Sequence, residues 1–526
     1  MRVKLINSTK HHPLDAMVAG ARTCYTKDAV TPQQVKKRVK NKGSKARDEL
    51  AQSVFGSGHH TTLEHSVFTF LIEGVSRQAL WSFLHSHPFY NSSQQSQRYV
   101  TMSADGLVIP QGMSRTERKN FKFMTRKQFS AYHSINDLLF PIALNELQDR
   151  FPHLRKQENK YTVRGMAQKK VQEIGRYVLP VATAANLHHT INALTLHRYK
   201  RLKEWFDVPN EVSTLVDKMC ARVERKFPGF FDTLVTDYIP LADTPEFNFF
   251  MTEDHILSTE QMDANTTQFK KEFDQRLRSQ PAKLVDYMHK AEKTLADSVR
   301  EVLGIPQSSL SDQEAIERVL DPRYNPHMGH TLNVKMMSPL CRTLAHAVYT
   351  FKVKLSHTAD SQAQRHRTVP VSRPLFEAQF TSDPDYITPQ LLHSSPEALE
   401  LYQATMQDIW GTANNLINDG LEFSEASYLL PNATTIRYTE TANLFALHHL
   451  MIERLCLNAQ EEIFHLNRAK ANEIRRVHPQ IGKYLDAPCI LRRDAEIIPR
   501  CKEGNRYCGV PVWREDSIFN FERKTL

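Results

Sequence analysis

Apolar residues recur three and four positions apart over several long stretches of the chain, a period that is typical of amphipathic helices. This pattern predicts helices at 137–150, 166–178, 189–206, 211–226, 396–419 and 441–475. Strands are predicted mainly at two places, 66–73 and 347–354, where Val, Phe, Tyr and Thr alternate with other residues. The pattern therefore predicts an α+β fold in which helices dominate.

The two predicted strands lie in stretches of sequence that resemble each other. Residues 63–70 read LEHSVFTF and residues 344–351 read LAHAVYTF, and their histidines are 281 positions apart (346 − 65). Polar as well as apolar positions recur in the same order, which unrelated helices would not reproduce. Four further pairs keep a constant offset of 251 (431 − 180): Pro180 with Pro431, Asn192 with Asn443, Glu211 with Glu462, and Pro228 with Pro479.

We therefore predict two tandem copies of one domain. The first copy is expected at 1–250 and the second, which ends in a tail containing cysteines, at 286–526. The segment 251–285 between them is polar and charged, so it is the expected linker.

Composition and charge narrow the class of protein. The chain has 526 residues, 40% of them hydrophobic and 24% charged, as expected for a soluble protein of about two to four domains. No run of about 18 apolar residues predicts a membrane span, and the first residues lack the pattern of a secretory signal. Seven cysteines, an odd number, favour a reducing compartment such as the cytoplasm. A net charge of +10 favours anionic ligands, without choosing among nucleotides, folates and nucleic acid.

Two polar segments carry candidate anion-binding groups. The first, 92–99, reads SSQQSQRY, and the second, 362–370, reads QAQRHRTVP. Guanidinium groups form paired hydrogen bonds with phosphate and carbonyl oxygens, so both segments suit a nucleotide. Each segment taken alone is more typical of a solvated surface loop.

With their neighbours, these segments closely resemble the flavin-dependent thymidylate synthases. The resemblance covers most of both halves and implies, in each copy, an antiparallel sheet flanked by long helices. It rests on motifs that occur in the family's order. These lie at 21–25, 58–65, 68–70, 74–77, 93–99 and 176–180 in the first half, and at 365–367, 441–443, 454 and 459–463 in the second.

The two halves depart from the family in complementary ways. The family's signature joins Arg-His-Arg to Ser-x-Arg-Tyr in one stretch. The first half has His85-Ser86-His87 in place of Arg-His-Arg but keeps Ser-x-Arg-Tyr, whereas the second keeps only Arg-His-Arg. Three other positions differ between the halves: Arg176 against Ser427, Ser82 against Gln362, and Lys203 against Arg454.

In the family, the nucleotide is held between subunits of a homotetramer, so the resemblance implies one composite site between the two halves. Ser96 and Arg98 would be its catalytic residues, and the reciprocal site would be inactive. Plain decay of both halves is the alternative explanation. The substrate-binding residues implied are Gln94, Gln95, Ser96, Arg98 and Arg176 from the first half, with Gln362, Arg365 and Arg454 from the second.

The resemblance implies reductive methylation of dUMP to dTMP, with FAD as redox carrier, methylenetetrahydrofolate as one-carbon donor and NADPH as reductant. A homodimer of fused chains would imitate the family's tetramer, and no membrane or nucleic-acid partner is expected. The alternatives are a degenerate flavin- or nucleotide-binding homologue without methylation activity, and alkylation of another pyrimidine nucleotide. Candidate flavin contacts are His59, Thr61, Asn192, His366, Arg367, Thr368, Asn443 and His449.

The cysteines give a weaker signal. Cys489, Cys501 and Cys508, together with His478, are candidate ligands of a structural zinc ion, because thiolates and imidazoles are its usual ligands. Their spacing matches no standard zinc motif, so free thiols are an equal alternative. Cys24 and Cys341 are expected to be buried packing residues.

Overall fold

The computed structural model describes residues 1–86, 88–151, 163–202, 205, 208–235, 239–251 and 259–523. These residues contain two four-stranded antiparallel sheets with the same topology, and helices surround both. The strand orders are β1-β2-β4-β3 in the first half and β5-β6-β8-β7 in the second. The predicted class, two tandem α+β copies, is confirmed.

The first half contains four strands and nine helices among its described residues. The strands are β1 (Arg2–Ser8), β2 (Val67–Ser76), β3 (Asn91–Gln94) and β4 (Ala184–Asn192). The helices are α1 (Pro13–Thr23), α2 (Pro32–Lys42), α3 (Lys45–Gly56), α4 (Arg77–His85), α5 (Arg115–Arg150), α6 (Val163–Gly175), α7 (Ala193–Tyr199), α8 (Asn210–Lys226) and α9 (Phe230–Thr233).

Two helices, α10 (Pro245–Met251) and α11 (Thr259–Leu277), connect the halves. Helix α11 packs on the second half, where Asp274 accepts hydrogen bonds from Arg437 (2.8 Å) and Lys354 (2.7 Å). Strand β5 (Ala282–Tyr287) follows and spans the expected end of the linker at 285.

The second half repeats the arrangement. Its other strands are β6 (Val348–Ser356), β7 (Val371–Ser372) and β8 (Thr435–Asn443). Its helices are α12 (Ala291–Leu303), α13 (Asp312–Leu320), α14 (Pro339–Arg342), α15 (His357–Ala363), α16 (Pro396–Asn418), α17 (Phe423–Ala426), α18 (Leu444–Arg454), α19 (Glu461–Val477), α20 (Pro479–Gly482) and α21 (Pro488–Asp494).

Alternation of buried and outward residues explains the central strands. Phe68, Phe70 and Ile72 of β2 are fully buried, and the same holds for Phe351 and Val353 of β6. Because successive side chains of a strand point to opposite faces, these residues place one face of each sheet in the core.

Two of the predicted helices were partly wrong. Residues 189–192 belong to β4 and residues 441–443 to β8, and the predicted helix 441–475 is two helices, α18 and α19. In β4 the buried residues Leu187, His189 and Ile191 alternate with exposed or half-buried neighbours, which is strand periodicity. A helix follows each strand directly, capped by the side chains of Asn192 and Asn443, so strand and helix read as one apolar stretch.

The halves meet about an approximate two-fold axis near Pro180 and Pro431, which form an isolated antiparallel bridge. The N–H of Val181 donates to the carbonyl of Leu430 (2.8 Å), and the N–H of Asn432 donates to that of Leu179 (2.9 Å). Backbone groups thus pair across the interface as in a sheet. The interface places the end of α6 of the first half against the start of α19 of the second.

No helix among the described residues is long and apolar enough to cross a membrane.

Candidate functional site

The loop after β3 carries the Arg98 side chain from the first half to the second. The Arg98 N–H donates to the hydroxyl oxygen of Ser96 (3.2 Å), which stabilises the turn. Its Nη2 donates to the carbonyl oxygen of Asn458 (2.9 Å), and its Nε forms an ion pair with the buried carboxylate of Glu173. The guanidinium therefore bridges the two halves at one point.

A second bridge lies beside it. Arg176 follows the end of α6 and is buried, and its Nη2 donates to Oε1 of Gln460 (2.7 Å). The same oxygen accepts a hydrogen bond from Nε2 of Gln362, while Nε2 of Gln460 donates to the hydroxyl of Tyr177. Gln460 thus links an arginine of the first half to a glutamine of the second.

The Arg-His-Arg segment follows the end of α15 and contacts the end of α18. Nε of Arg454 donates to Nε2 of His366 (3.0 Å), and its Nη2 donates to the carbonyl of Gln362 (3.2 Å). Arg365 is exposed, and its guanidinium has no hydrogen bond or ion pair with any described residue. It is therefore available to an anionic ligand.

Electrostatic coupling shows that arginines of both halves converge. Burial lowers the pKa of Arg77 to about 9, and the charges of Arg176 and Arg365 act in the same direction. Burial likewise lowers the pKa of Arg454 to about 10, helped by Arg365 and Arg98. Each guanidinium therefore feels the charge of a partner in the other half. We call these five residues the arginine cluster.

Buried acids and a lysine border the arginine cluster. Burial would raise the pKa of Glu173, but Arg98, Lys170 and Arg176 hold it at about 2, so this carboxylate is ionised. Burial raises the pKa of Glu461, at the start of α19, to about 7 and lowers that of Lys170 to about 8. The region keeps an excess of positive charge, as a phosphate dianion requires.

Sequence reasoning missed three residues of this region as site residues: Arg77, Glu173 and Gln460. Arg77 and Gln460 lie within stretches that carry the family resemblance, but their spacing gives no role. Glu173 lies one helical turn before Arg176, a spacing that places both on the same face of a helix. That spacing was the available signal.

The two glutamines predicted in the same loop have other surroundings. Oε1 of Gln94 is buried and has no hydrogen-bond partner among the described residues. The carbonyl oxygen of Gln95 accepts a hydrogen bond from Arg77. Gln95 also lines a cavity of about 1010 Å³ beside Asn210 and Glu211, and none of the arginine cluster lines that cavity.

The candidate flavin contacts fall into separate groups. His366 and Arg367 line a cavity of about 300 Å³ together with Arg454. The ring of His449 lies 5.7 Å from that of His366, and Arg367 lies 5.1 Å above the ring of Tyr90. Cationic side chains beside aromatic and imidazole rings suit the diphosphate and the flat ring of a flavin nucleotide, so this donor set fits the group.

The remaining flavin candidates do not line this cavity. Asn192 and Asn443 cap α7 and α18 with their side chains, so their amide oxygens are already occupied. Thr368 is exposed. His59 and Thr61 are exposed in the first half, and no hydrogen bond joins them to the second half among the described residues.

The sheet register identifies the counterpart of the arginine cluster on the other side of the two-fold axis. β3 pairs Ser92 with His189, and β7 pairs Val371 with Glu440, which is His189 plus the offset of 251. Counting on from this pair, Leu375 and Glu377 take the places of Ser96 and Arg98. His87 and Lys203, two further counterparts, lie outside the described residues.

A buried ion pair fills the reciprocal region. The carboxylate of Asp360 accepts hydrogen bonds from Arg373 (2.8 and 2.9 Å) and from the indole of Trp81 (2.8 Å). His85, the counterpart of Arg365, lies 3.6 Å from Asp360, and burial lowers its pKa to about 3, so it is neutral. The ring of Phe376 packs 5.7 Å from Trp81. This region lacks the surplus cations of the arginine cluster.

Four thiols line one small cavity near the C-terminus, and Cys456 is the one not predicted. The others are Cys489, Cys501 and Cys508. Burial raises the pKa of Cys456 and Cys489 to about 12, so these thiols are protonated unless a bound metal ion displaces their protons. No three His, Cys, Asp or Glu side chains in the described parts of the chain form a group that could hold a metal ion.

Three further expectations concern single residues. His478 lies apart from the thiols, with its Nδ1 3.0 Å from the hydroxyl of Tyr349. Cys341 is buried, as expected. Cys24 is exposed, so its expected burial was wrong.

The fold agrees with what comparison with known proteins finds. A family model described as thymidylate synthase complementing protein matches residues 4–229 and 283–480, well over half of the chain. The chain therefore belongs to this family, as a tandem form in which each matched segment contains one sheet.

Individual relatives match one copy's length of the chain. The flavin-dependent thymidylate synthase of Geobacter sulfurreducens is 33% identical over 237 residues, 44% of this chain and 85% of the relative. The enzyme of that name from Nitratidesulfovibrio vulgaris is 30% identical over 238 residues, and that from Clostridium tetani is 29% identical over 237. Both alignments also cover 44% of this chain and 85% of the relative.

Proposed function

We propose that the chain is a flavin-dependent thymidylate synthase that methylates dUMP to dTMP at one composite site between its halves. The observation that carries this proposal is the convergence of the arginine cluster. Arg77, Arg98 and Arg176 come from the first half, and Arg365 and Arg454 come from the second. The counterpart residues on the other side of the two-fold axis form a neutral, packed region instead.

The residues of the cluster divide the binding of the nucleotide between them. Arg176, Arg365 and Arg454 bind phosphate or carbonyl oxygens and hold the nucleotide in register, and Gln362 positions Arg454. Arg98 and Ser96 lie at the uracil and stabilise the charge that develops on its carbonyl oxygens. Arg98 must leave Glu173 or share it, because the carboxylate now occupies its Nε.

FAD, when bound, supplies the hydride chemistry. His366, Arg367, Thr368 and His449 hold it beside the arginine cluster, and methylenetetrahydrofolate and NADPH serve as co-substrates. His59 and Thr61, exposed in the first half, reach this flavin from a second chain. A homodimer of fused chains therefore completes the site, and the odd number of cysteines, seven, favours the cytoplasm as its location. The zinc site at Cys489, Cys501 and Cys508 stays a prediction. Measuring the zinc content of the purified protein tests it.

The test is a methylation assay on the purified full chain. The wild type is expected to be yellow and to release tritium from C5-labelled dUMP only when folate and NADPH are present. Arg98→Ala and Arg365→Ala are each expected to lower turnover by about 10²-fold, the usual effect of removing one donor from a charged site.

The matched control is Arg38→Ala, on an exposed face of α2. Its turnover should equal that of the wild type. Full activity of Arg98→Ala or Arg365→Ala would remove that arginine from the site. A flavin spectrum without tritium release would favour a degenerate homologue, and release from another labelled pyrimidine nucleotide alone would favour a related alkylation.

A further inference from the structure

The C-terminal tail beyond residue 480 lies outside the part of the chain that matches the family. It is nevertheless firmly held on the second half. The carboxylate of Asp486 accepts hydrogen bonds from the hydroxyl of Ser517 and the N–H of Ile518 (2.9 Å). The ring of Phe519 packs under Arg475 (4.2 Å), and its carbonyl accepts a hydrogen bond from Arg468 (3.2 Å). These contacts fix the direction in which the chain continues.

Near the end of its described residues, the tail buries Arg523 between the halves. Only 4% of this residue is exposed, its Nη1 donates to the carbonyl oxygen of Ala459 (3.2 Å), and its guanidinium lies 5.1 Å from the ring of Phe464. Its Nε is buried without a hydrogen-bond partner among the described residues. A buried cation in this position needs a compensating charge.

Arg523 contacts a three-residue segment, 458–460, to which the arginines that bridge the two halves also bind. Arg98 binds the carbonyl of Asn458, Arg523 binds that of Ala459, and Arg176 binds the side chain of Gln460. Arg523 is therefore one of three arginines that hold this segment in place.

Arg523 also acts on the acid that restrains Arg98. Among neighbouring carboxylates, the charge of Glu173 raises the pKa of Arg523 most, followed by that of Glu461. Glu173 is at the same time the ion-pair partner of Arg98. The charges of Arg523 and Arg98 repel each other, so the net attraction that holds Arg98 beside Glu173 is weaker than it would be without Arg523.

We propose that Arg523 is a positioning residue of the composite site, which fixes the segment 458–460 and shares the charge of Glu173 so that Arg98 can turn to an anionic nucleotide. This inference rests on the proposed function. It also explains why the tail serves one site only. The first half continues into α11, which packs on the second half, and no hydrogen bond joins a described residue of 230–277 to Ser427 on the reciprocal side.

The test measures dUMP binding to the full chain by calorimetry. Arg523→Gln keeps a hydrogen-bond donor for Ala459 but removes the charge. It is expected to weaken dUMP binding by about tenfold, and to raise KM more than it lowers kcat. Arg523→Lys is expected to restore most of the affinity. Arg514→Ala, an exposed arginine of the same tail, is the matched control and should bind like the wild type.

A second substitution separates charge sharing from a merely structural role. Glu173→Gln in the Arg523→Gln background removes the carboxylate that would capture Arg98, so affinity for dUMP is expected to recover at least threefold. The proposal is overturned if Arg523→Gln binds dUMP as tightly as Arg514→Ala, or if the double variant shows no recovery. A wild-type chain that does not bind dUMP would instead refute the proposed function, on which the inference depends.

Discussion

At the scale of single residues, the sequence identified those residues of the arginine cluster that occur in family motifs. Arg98, Arg176 and Arg454 each belong to such a motif. The structure brings Arg98 and Arg176 to the segment 458–460, and Arg454 to Gln362, which binds Gln460. Glu173 could not be recognised in this way, because its role comes from a contact with Arg98 across 75 positions (173 − 98). Spacing along a chain does not report contacts that only the tertiary fold creates.

Glu461 gives a prediction at this scale. Its side chain is buried at the start of α19, where it accepts a hydrogen bond from the N–H of Gln390 (3.2 Å), while Oε2 has no partner among the described residues. Burial raises its pKa from the ordinary 4.5 to about 7. Between these two values the unfolded chain has lost the proton that the folded chain keeps, so folding stability falls as the pH rises.

Glu461→Gln should therefore abolish this dependence. Denaturant unfolding between pH 5 and pH 8 is expected to show the wild type losing up to about 3 kcal/mol relative to Glu461→Gln as the pH rises to 7, with no further loss above it. The exposed Glu400→Gln should track the wild type. Parallel pH profiles for wild type and Glu461→Gln would show that this carboxyl is ionised throughout.

At the scale of elements, the sequence predicted several long helices, although only residues 137–150 of α5, and misread where strands pass into helices. β4 and β8 each run directly into a helix at an asparagine, so the period changes from two to 3.6 without a turn signal. The outward side chains of β4, such as His188, gave no clear alternation of apolar and polar residues. The pairing of these same strands identifies which residues of the two halves correspond. The counterparts of Ser96 and Arg98 on the reciprocal side could therefore not be derived from the sequence.

The packing of α6 on α5 sets the position of Arg176 and leads to a prediction at this scale. Gly175, the last residue of α6, faces α5 so closely that a methyl group would lie 2.3 Å from Oδ1 of Asn136 and 3.1 Å from the carbonyl of Tyr132. Gly175→Ala is expected to push α6 away from α5, to lower stability by about 1–3 kcal/mol and to weaken dUMP binding.

The chain offers a matched control for this substitution. Gly411 lies inside α16, and a methyl group there would meet nothing within 4 Å. Gly411→Ala is expected to leave dUMP binding unchanged and to stabilise the protein by up to about 1 kcal/mol, because alanine favours a helix over glycine. Thermal unfolding measures the stability of both variants, and calorimetry measures their dUMP binding. Equal stability and equal dUMP binding of the two variants would mean that the α5–α6 contact does not position Arg176.

At the scale of the whole molecule, duplication within one chain allows the two halves to differ. Two identical subunits related by a two-fold axis must build two identical sites, so a residue lost from one site is lost from both. In the fused chain, Arg373 and Asp360 could become a buried ion pair on one side while Arg98 and Arg365 kept the other side open to an anion. The sequence predicted this asymmetry from complementary losses alone, because a lost motif is visible without coordinates.

The same reasoning predicts how two defective chains behave when they are mixed. If Arg98 and Arg365 serve one site within a single chain, each variant carries a defect in its only site. Co-expressed and co-purified Arg98→Ala and Arg365→Ala chains should then be as inactive as either variant alone, whatever dimers they form. If Arg98 of one chain instead served Arg365 of another, mixed dimers would contain one intact site, and the dUMP methylation assay would detect recovered activity. Recovery would therefore refute a composite site within the chain, whereas continued inactivity, with wild-type chains mixed in the same way remaining active, is the result that the arrangement around Asn458 and Gln460 requires.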